Sequence, residues 1–387
     1  LGAKDRDRFF GGGQGAAGHD GKLARGRPLA VGERAMKASI PPNWAALRSS
    51  LLAWYDRQAR TLAWRVSPSD RRAGVRSDPY RVWLSEVMLQ QTTVPHATPY
   101  FLTFTHRWPT VSDLAAAPDG DLMAAWAGLG YYARARNLLA CARAVASRHA
   151  GVFPDDPIAL RALPGLGDYT VAAVSAIAFG RKANVVDGNV ERVTSRLFAI
   201  ETPLPDAKPE LKALAGELVT EERPGDWAQA LMDLGATVCK PKGPLCDLCP
   251  VSAWCEAFKG GAPETYPRKT KKADRPRRHG VAYVLTRGDQ VALVRRPPKG
   301  LLGGMLGLPT SEWRATAYDD AEARAAAPVA AAWRDLGAVE HVFTHFSLTL
   351  RVLAAEGEGD FVWTSREGLS ALPSVFLKAA RAAERLL

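Results

Sequence analysis

The chain has 387 residues, 47% of them apolar and 24% charged, a composition that suits two domains, each large enough to bury a core. The longest apolar run, residues 171–179, is far short of the ~18 residues of a membrane-crossing helix, and no secretory leader is recognisable, so a cytosolic protein is expected. The net charge of +11 is uneven: residues 1–38 hold eight Lys/Arg against four Asp/Glu, and residues 264–280 hold seven against two. A solvated tail and linker explain that charge as well as a phosphate-seeking surface does, so charge alone assigns no partner.

Residues 1–40 are rich in Gly and Arg, lack apolar periodicity and read as a disordered extension. Met36 precedes the first credible helix and reads as the translation start; an Arg-rich transit peptide is disfavoured by the four acids in the segment. From residue 43 to 260 the pattern is helical. Trp44, Leu47, Leu51, Leu52 and Tyr55 recur at helical spacing, and 85–91, 122–129, 133–148 and 170–179 behave alike. Pro, Gly and Asp clusters at 77–79, 117–120, 154–157 and 164–167 separate them. Residues 261–279 read as a basic linker. Beyond it, 281–285 and 291–294 flank a polar 287–290 turn, a hairpin signal. Residues 341–352 alternate like a strand, and 375–387 read as a helix. The second domain, 280–387, is therefore α+β, after a mainly α region.

Cys239, Cys246, Cys249 and Cys255 follow the pattern C-x6-C-x2-C-x5-C. Structural zinc usually takes two Cys-x2-Cys pairs from separate segments. One tight loop of four thiolates suits the corners of a 4Fe–4S cluster better; zinc stays open on spacing alone. Cys141 lies in an Ala/Leu-rich helix and reads as a small core residue. Leu163-Pro164-Gly165-Leu166-Gly167 ends one helix and opens another at Asp168 or Tyr169. Its glycines allow a sharp turn, and the next helix offers free N–H groups to an anion, here a DNA phosphate; a plain turn is the alternative. Asp187 follows in Val185-Val186-Asp187-Gly188-Asn189-Val190 and reads equally as a helix N-cap. Glu86 lies in Trp83-Leu84-Ser85-Glu86-Val87-Met88-Leu89. Burial there would raise its carboxyl pKa and make it a general acid, with a salt-bridged structural role as the alternative.

Together these motifs resemble the adenine DNA glycosylase family known as MutY, over residues 43–350. The likeness is carried by residues 83–92, by Gly128-Leu129-Gly130-Tyr131-Tyr132-Ala133-Arg134-Ala135-Arg136-Asn137-Leu138, by the 163–167 hairpin, by 186–190 and by the cysteine loop. The hairpin, the aspartate and the cluster are shared with the wider endonuclease III superfamily. The resemblance implies a 4Fe–4S cluster lobe (41–79 with 186–260) held by Cys239, Cys246, Cys249 and Cys255. It also implies a six-helix lobe (80–185) carrying a helix-hairpin-helix, with the active site in the cleft between the two. It implies that Glu86 protonates a flipped-out adenine and that ionised Asp187 shelters the sugar cation, supported by Tyr169 and Asn189. DNA would be contacted by Gln90, Gln91, Tyr131, Leu163, Gly165 and Gly167. Where bifunctional relatives carry a Schiff-base lysine, this chain has Tyr169, and Lys182 is the only lysine from 163 to 190.

Residues 280–387 look like the MutT-like, Nudix-fold domain of the same family, on Arg296-Pro297-Pro298-Lys299-Gly300-Leu301-Leu302-Gly303-Gly304-Met305 and Leu308-Pro309. The Arg-Glu-x-x-Glu-Glu string of a working Nudix hydrolase is missing, so no pyrophosphatase activity is expected. Phe343, Thr344 and His345 match the family's 8-oxoguanine-reading Phe-Ser-His loop, with threonine for serine. The resemblance implies a monomeric, monofunctional enzyme acting on duplex DNA with A:8-oxoG or A:G mispairs, in the bacterial cytoplasm and at its nucleoid. The alternative is an endonuclease III-type glycosylase/lyase for oxidised pyrimidines.

Overall fold

The computed structural model describes residues 44–270, 275–297, 300–343 and 345–384. The expectations for 1–40, for Met36 and for Thr344 fall outside these residues, as does part of the basic linker.

The first helix, α1 (Trp44–Gln58), buries Leu47, Leu51 and Tyr55, the face its spacing predicts. A short α2 (Pro68–Arg72) leads to α3 (Pro79–Met88). The start of α3 is set by Asp78, whose side chain accepts from the Tyr80 N–H, and by Pro79 in the first turn. Then come α4 (Val94–Arg107), α5 (Val111–Ala116), α6 (Asp119–Trp126), α7 (Ala133–Arg148) and α8 (Pro157–Arg161). The hairpin turn leads into α9 (Asp168–Ile177), followed by α10 (Gly188–Leu197), α11 (Lys208–Leu218) and α12 (Pro224–Thr237). Among the most buried side chains are Trp83, Trp126 and Trp227, which anchor α3, α6 and α12.

Two periodicity-based expectations are corrected here. The helix expected over 85–91 stops at Met88, and Gln91 sits in the left-handed region at φ 59°. The element expected over 122–129 stops at Trp126, where Gly128 and Gly130 turn the chain.

After the cysteine loop and a short α13 (Glu256–Lys259), the chain forms a mixed sheet. Its strands are β1 (Arg277–Arg287), β2 (Gln290–Arg295), β3 (Leu306–Gly307), β4 (Arg334–Val342), β5 (Ser347–Glu356) and β6 (Val362–Ser365). The order is β3-β2-β1-β5-β4, with β6 also on β2 and only β1–β5 parallel. The expected hairpin is β1–β2, with Arg287 opposite Gln290. The strand expected over 341–352 is two strands: β4 ends at Val342 and β5 begins at Ser347. Alternation sorts β1 onto two faces. Ala282 and Val284 pack towards α15 (Ser374–Glu384), while Val281, Tyr283 and Leu285 pack with Trp333 and with Ala323 of α14 (Asp320–Ala325). No described helix is long and apolar enough to cross a membrane.

Candidate active site

A cavity of about 640 Å³ is lined by the ends of several helices and brings Glu86, Tyr169, Asp187 and Asn189 onto one surface. Glu86 projects from α3, whose flanking Trp83, Leu84, Val87 and Met88 are all buried, and is itself 8% exposed. The Tyr169 hydroxyl, one residue into α9, donates to Glu86 Oε2 at 2.7 Å. Burial pushes the Glu86 carboxyl up; the Tyr169 hydrogen bond and Arg65 oppose that, and Asp187 adds to it. Burial, then the Glu86 charge, push the Tyr169 phenol far above its ordinary value, so it stays a donor. The salt-bridge alternative for Glu86 finds no ion pair among the described residues.

Asp187 is the N-cap of α10, as its local sequence allowed, and it also faces the cavity. Oδ1 accepts from the N–H groups of Asn189 (2.9 Å) and Val190 (2.8 Å), and Oδ2 accepts from Asn189 Nδ2 at 2.8 Å. Capping therefore orients the carboxylate. Asn189 is held in turn by Arg192, whose Nη2 donates to Asn189 Oδ1 at 2.9 Å and whose Nε donates to the Cys239 carbonyl at 2.9 Å. Gly235 permits this closeness: a Cβ there would meet the Asn189 Cβ at 2.6 Å. Sequence reasoning missed Arg192 and Arg65. Arg65 lines the cavity and is fixed by fully buried Asp233 at 2.7 Å. Their only signal was position: an arginine five residues after Asp187, and another beside Trp64 in a loop.

The expected DNA contacts fall into distinct environments. Gln90 lines the cavity with Nε2 3.5 Å from Thr170 Oγ1; Gln91 lines it too and is exposed. Tyr131 is 54% exposed, outside the core, and strained at φ 50°. Gly165 and Gly167 are exposed before α9, and Gly165 has φ 77°. A Cβ at Gly165 would meet the Asn137 Cβ at 2.8 Å. Leu163 is corrected: the residue is 4% exposed and belongs to the core, so its side chain does not face a ligand. Phe343 is half-buried against Phe346, Trp313 and His341, whereas His345 is exposed.

Cys239, Cys246, Cys249 and Cys255 line one small apolar pocket with Arg196. Arg196 is a buried arginine whose Nη1 donates to Cys239 Sγ at 3.2 Å and to the Lys240 carbonyl at 2.8 Å. Among the described residues no group of three or more His, Cys, Asp or Glu is assembled to hold a metal ion. Four cysteines around one apolar pocket, with the Arg196 guanidinium on Cys239 Sγ, are a donor set that fits a thiolate-held metal group. Cys141 is fully buried, and burial pushes its thiol to about 12, as befits a core residue.

A family model described as the HhH-GPD superfamily base excision DNA repair protein matches residues 84–219, and one described as a NUDIX domain matches residues 280–381. The adenine DNA glycosylase of Homo sapiens is 37% identical over 81% of this chain and 68% of its own length. That of Mus musculus is 34% identical over 83% of this chain and 74% of its own. That of Mycobacterium tuberculosis is 38% identical over 62% of this chain and 73% of its own. A helical body of the base-excision type joined to a Nudix domain, with identity of this level across most of its length, makes the chain a member of the adenine DNA glycosylase family.

Proposed function

We propose that this chain excises adenine mispaired with 8-oxoguanine or guanine in duplex DNA, leaving the strand uncut. The observation that carries this is the 2.7 Å contact of Tyr169 with buried Glu86, in a cavity that also receives Asp187. The base must leave the stack to reach it, costing a few kcal/mol, least at a mispair. Glu86 gives its proton to the adenine ring, so the base departs neutral. The C1′–N9 electron pair goes with it, and the sugar acquires oxocarbenium character. Asp187 stabilises that charge, and water adds at C1′ and loses a proton. Glu86 and Asp187 do different work because one is buried among apolar groups and the other sits among three N–H donors.

Duplexes carrying A:8-oxoG, A:G, A:T and thymine glycol:A, compared for base release, test this. Adenine release in the order A:8-oxoG, A:G, then A:T supports it; release of thymine glycol alone gives the site to the oxidised-pyrimidine chemistry. The absence of an amine at position 169 argues against that second activity, and Lys182 is ion-paired with Glu221 at 2.9 Å. We expect no rapidly turning-over borohydride-trappable adduct; one that formed at the rate of base loss would contradict this.

Cys239, Cys246, Cys249 and Cys255 would hold one 4Fe–4S cluster, whose contribution is to clamp the 239–255 loop. Elemental analysis should find about four irons per chain rather than one zinc. Arg192 links that loop to Asn189 and so to Asp187. Arg192→Gln should slow single-turnover adenine release about ten-fold, as loss of a support behind a metal ligand does, with DNA affinity changed little. The proposed lobes, 41–79 with 186–260 and 80–185, are supported by packing of α1 and α10 on α12 and of α3 on α7 and α9. The 280–387 domain would read 8-oxoguanine through Phe343, Thr344 and His345.

A further inference from the structure

Arg134, near the start of α7, makes an unusual set of contacts. Its Nη1 donates to the carbonyls of Val87 (2.9 Å), Met88 (3.1 Å) and Gln90 (2.6 Å), and its Nη2 to those of Leu129 (3.0 Å) and Gly130 (3.3 Å). Its guanidinium lies 5.3 Å from the Trp126 ring centroid and 5.5 Å from that of Tyr131. No carboxylate pairs with it among the described residues.

The first three acceptors are the end of α3 and the turn after it. A helix leaves its last carbonyls without partners and favours a cation there, so Arg134 caps α3 from another helix. The other two belong to the loop that presents Tyr131. Each segment holds one non-glycine residue in sparsely populated backbone: Gln91 at φ 59° and Tyr131 at φ 50°. Strained turns persist where the surroundings over-determine them, and one planar fork over-determines both. Glu86 directly precedes Val87 and Met88, so two of the bonded carbonyls belong to the last turn of the helix that carries the acid.

We propose that Arg134 joins the Gln90–Gln91 turn and Tyr131 into one rigid wedge, and thereby sets how strongly the enzyme discriminates between mispairs. This rests on the reading above that Gln90, Gln91 and Tyr131 meet the DNA. A well-fitted opposite base seats Tyr131; through Arg134 that seating steadies the end of α3 and hence Glu86. A poorly fitted one displaces both together. Arg134 is a positioning residue and touches no reacting atom.

The test compares full-length wild type, Arg134→Lys and Arg134→Gln on A:8-oxoG and A:G duplexes. Single-turnover rates are normalised to titrated active sites, and equilibrium binding of both duplexes is measured alongside. Both variants should slow A:8-oxoG more than A:G, so that the ratio of rates, and the ratio of affinities, shrinks at least about three-fold. Lysine keeps the charge but cannot fork across two segments, so it should not restore the ratio. Equal slowing on both duplexes, or a wild-type ratio in Arg134→Lys, overturns the proposal. Should wild type release no adenine, the reading of function fails on its own, and the affinity ratios still decide the role of Arg134.

Discussion

Glu86→Gln is expected to cut single-turnover adenine release by about 10²–10⁴-fold, the usual contribution of a positioned general acid, while the protein still folds and binds the mispaired duplex. Glutamine keeps the shape of the side chain and can still meet the Tyr169 hydroxyl; what it lacks is a proton to give. Burial raises the Glu86 carboxyl above the ordinary glutamate value. The protonated, active form is therefore full at pH below the raised pKa and is lost as pH climbs through it. The wild-type rate should fall on an alkaline limb that begins above the ordinary carboxylate range, and Glu86→Gln should lack that limb. Tyr169→Phe sharpens the test. The Tyr169 hydroxyl donates to the carboxylate and favours its charged form. Removing it should move the limb to higher pH, not lower. A limb that persists in Glu86→Gln, or moves down in Tyr169→Phe, would assign the titration to another group.

Asp187→Asn should cost at least about 10²-fold in the same rate, the scale of losing one preorganised electrostatic group at a developing charge. This substitution separates the two roles that the position combines. As N-cap of α10, Asp187 accepts from Asn189 and Val190. Asparagine caps about as well as aspartate, so thermal stability should change little. If Asp187 were only a cap, Asp187→Asn would be nearly silent; if it stabilises the sugar cation, activity goes and stability stays. A large drop in unfolding midpoint that accounts for the lost activity would return the residue to a structural role.

Much of the site was legible because its chemistry is written locally. Glu86 stands in an apolar heptapeptide, Asp187 between an apolar pair and a glycine, and the four cysteines in one short loop; each needs only its neighbours to be noticed. The residues that escaped act at a distance. Arg192 and Arg196 are arginines of a helix, indistinguishable in sequence from a solvated face until α10 turns them onto Asn189 and Cys239. The end of α3 was misplaced for the same reason. Apolar spacing runs on past Met88 with no Gly or Pro to stop it, and the carbonyls that end the helix are taken by Arg134 from α7. Leu163 shows the opposite failure. A motif marks the loop correctly, but it does not say which side chains of the loop turn inward, and Leu163 fills the core. Between β4 and β5, Phe343 stands out of phase with the alternating Phe346, Leu348 and Leu350, and its ring packs on that of Phe346 at 4.9 Å rather than extending one strand.

The decisive measurement is direct detection of free adenine from an A:8-oxoG duplex mixed with excess purified protein, beside strand integrity on the same sample. Adenine should appear in step with alkali-labile sites while the untreated strand stays whole, and both signals should vanish in Glu86→Gln. Adenine that remains on a duplex the intact protein demonstrably binds would contradict the account at its root.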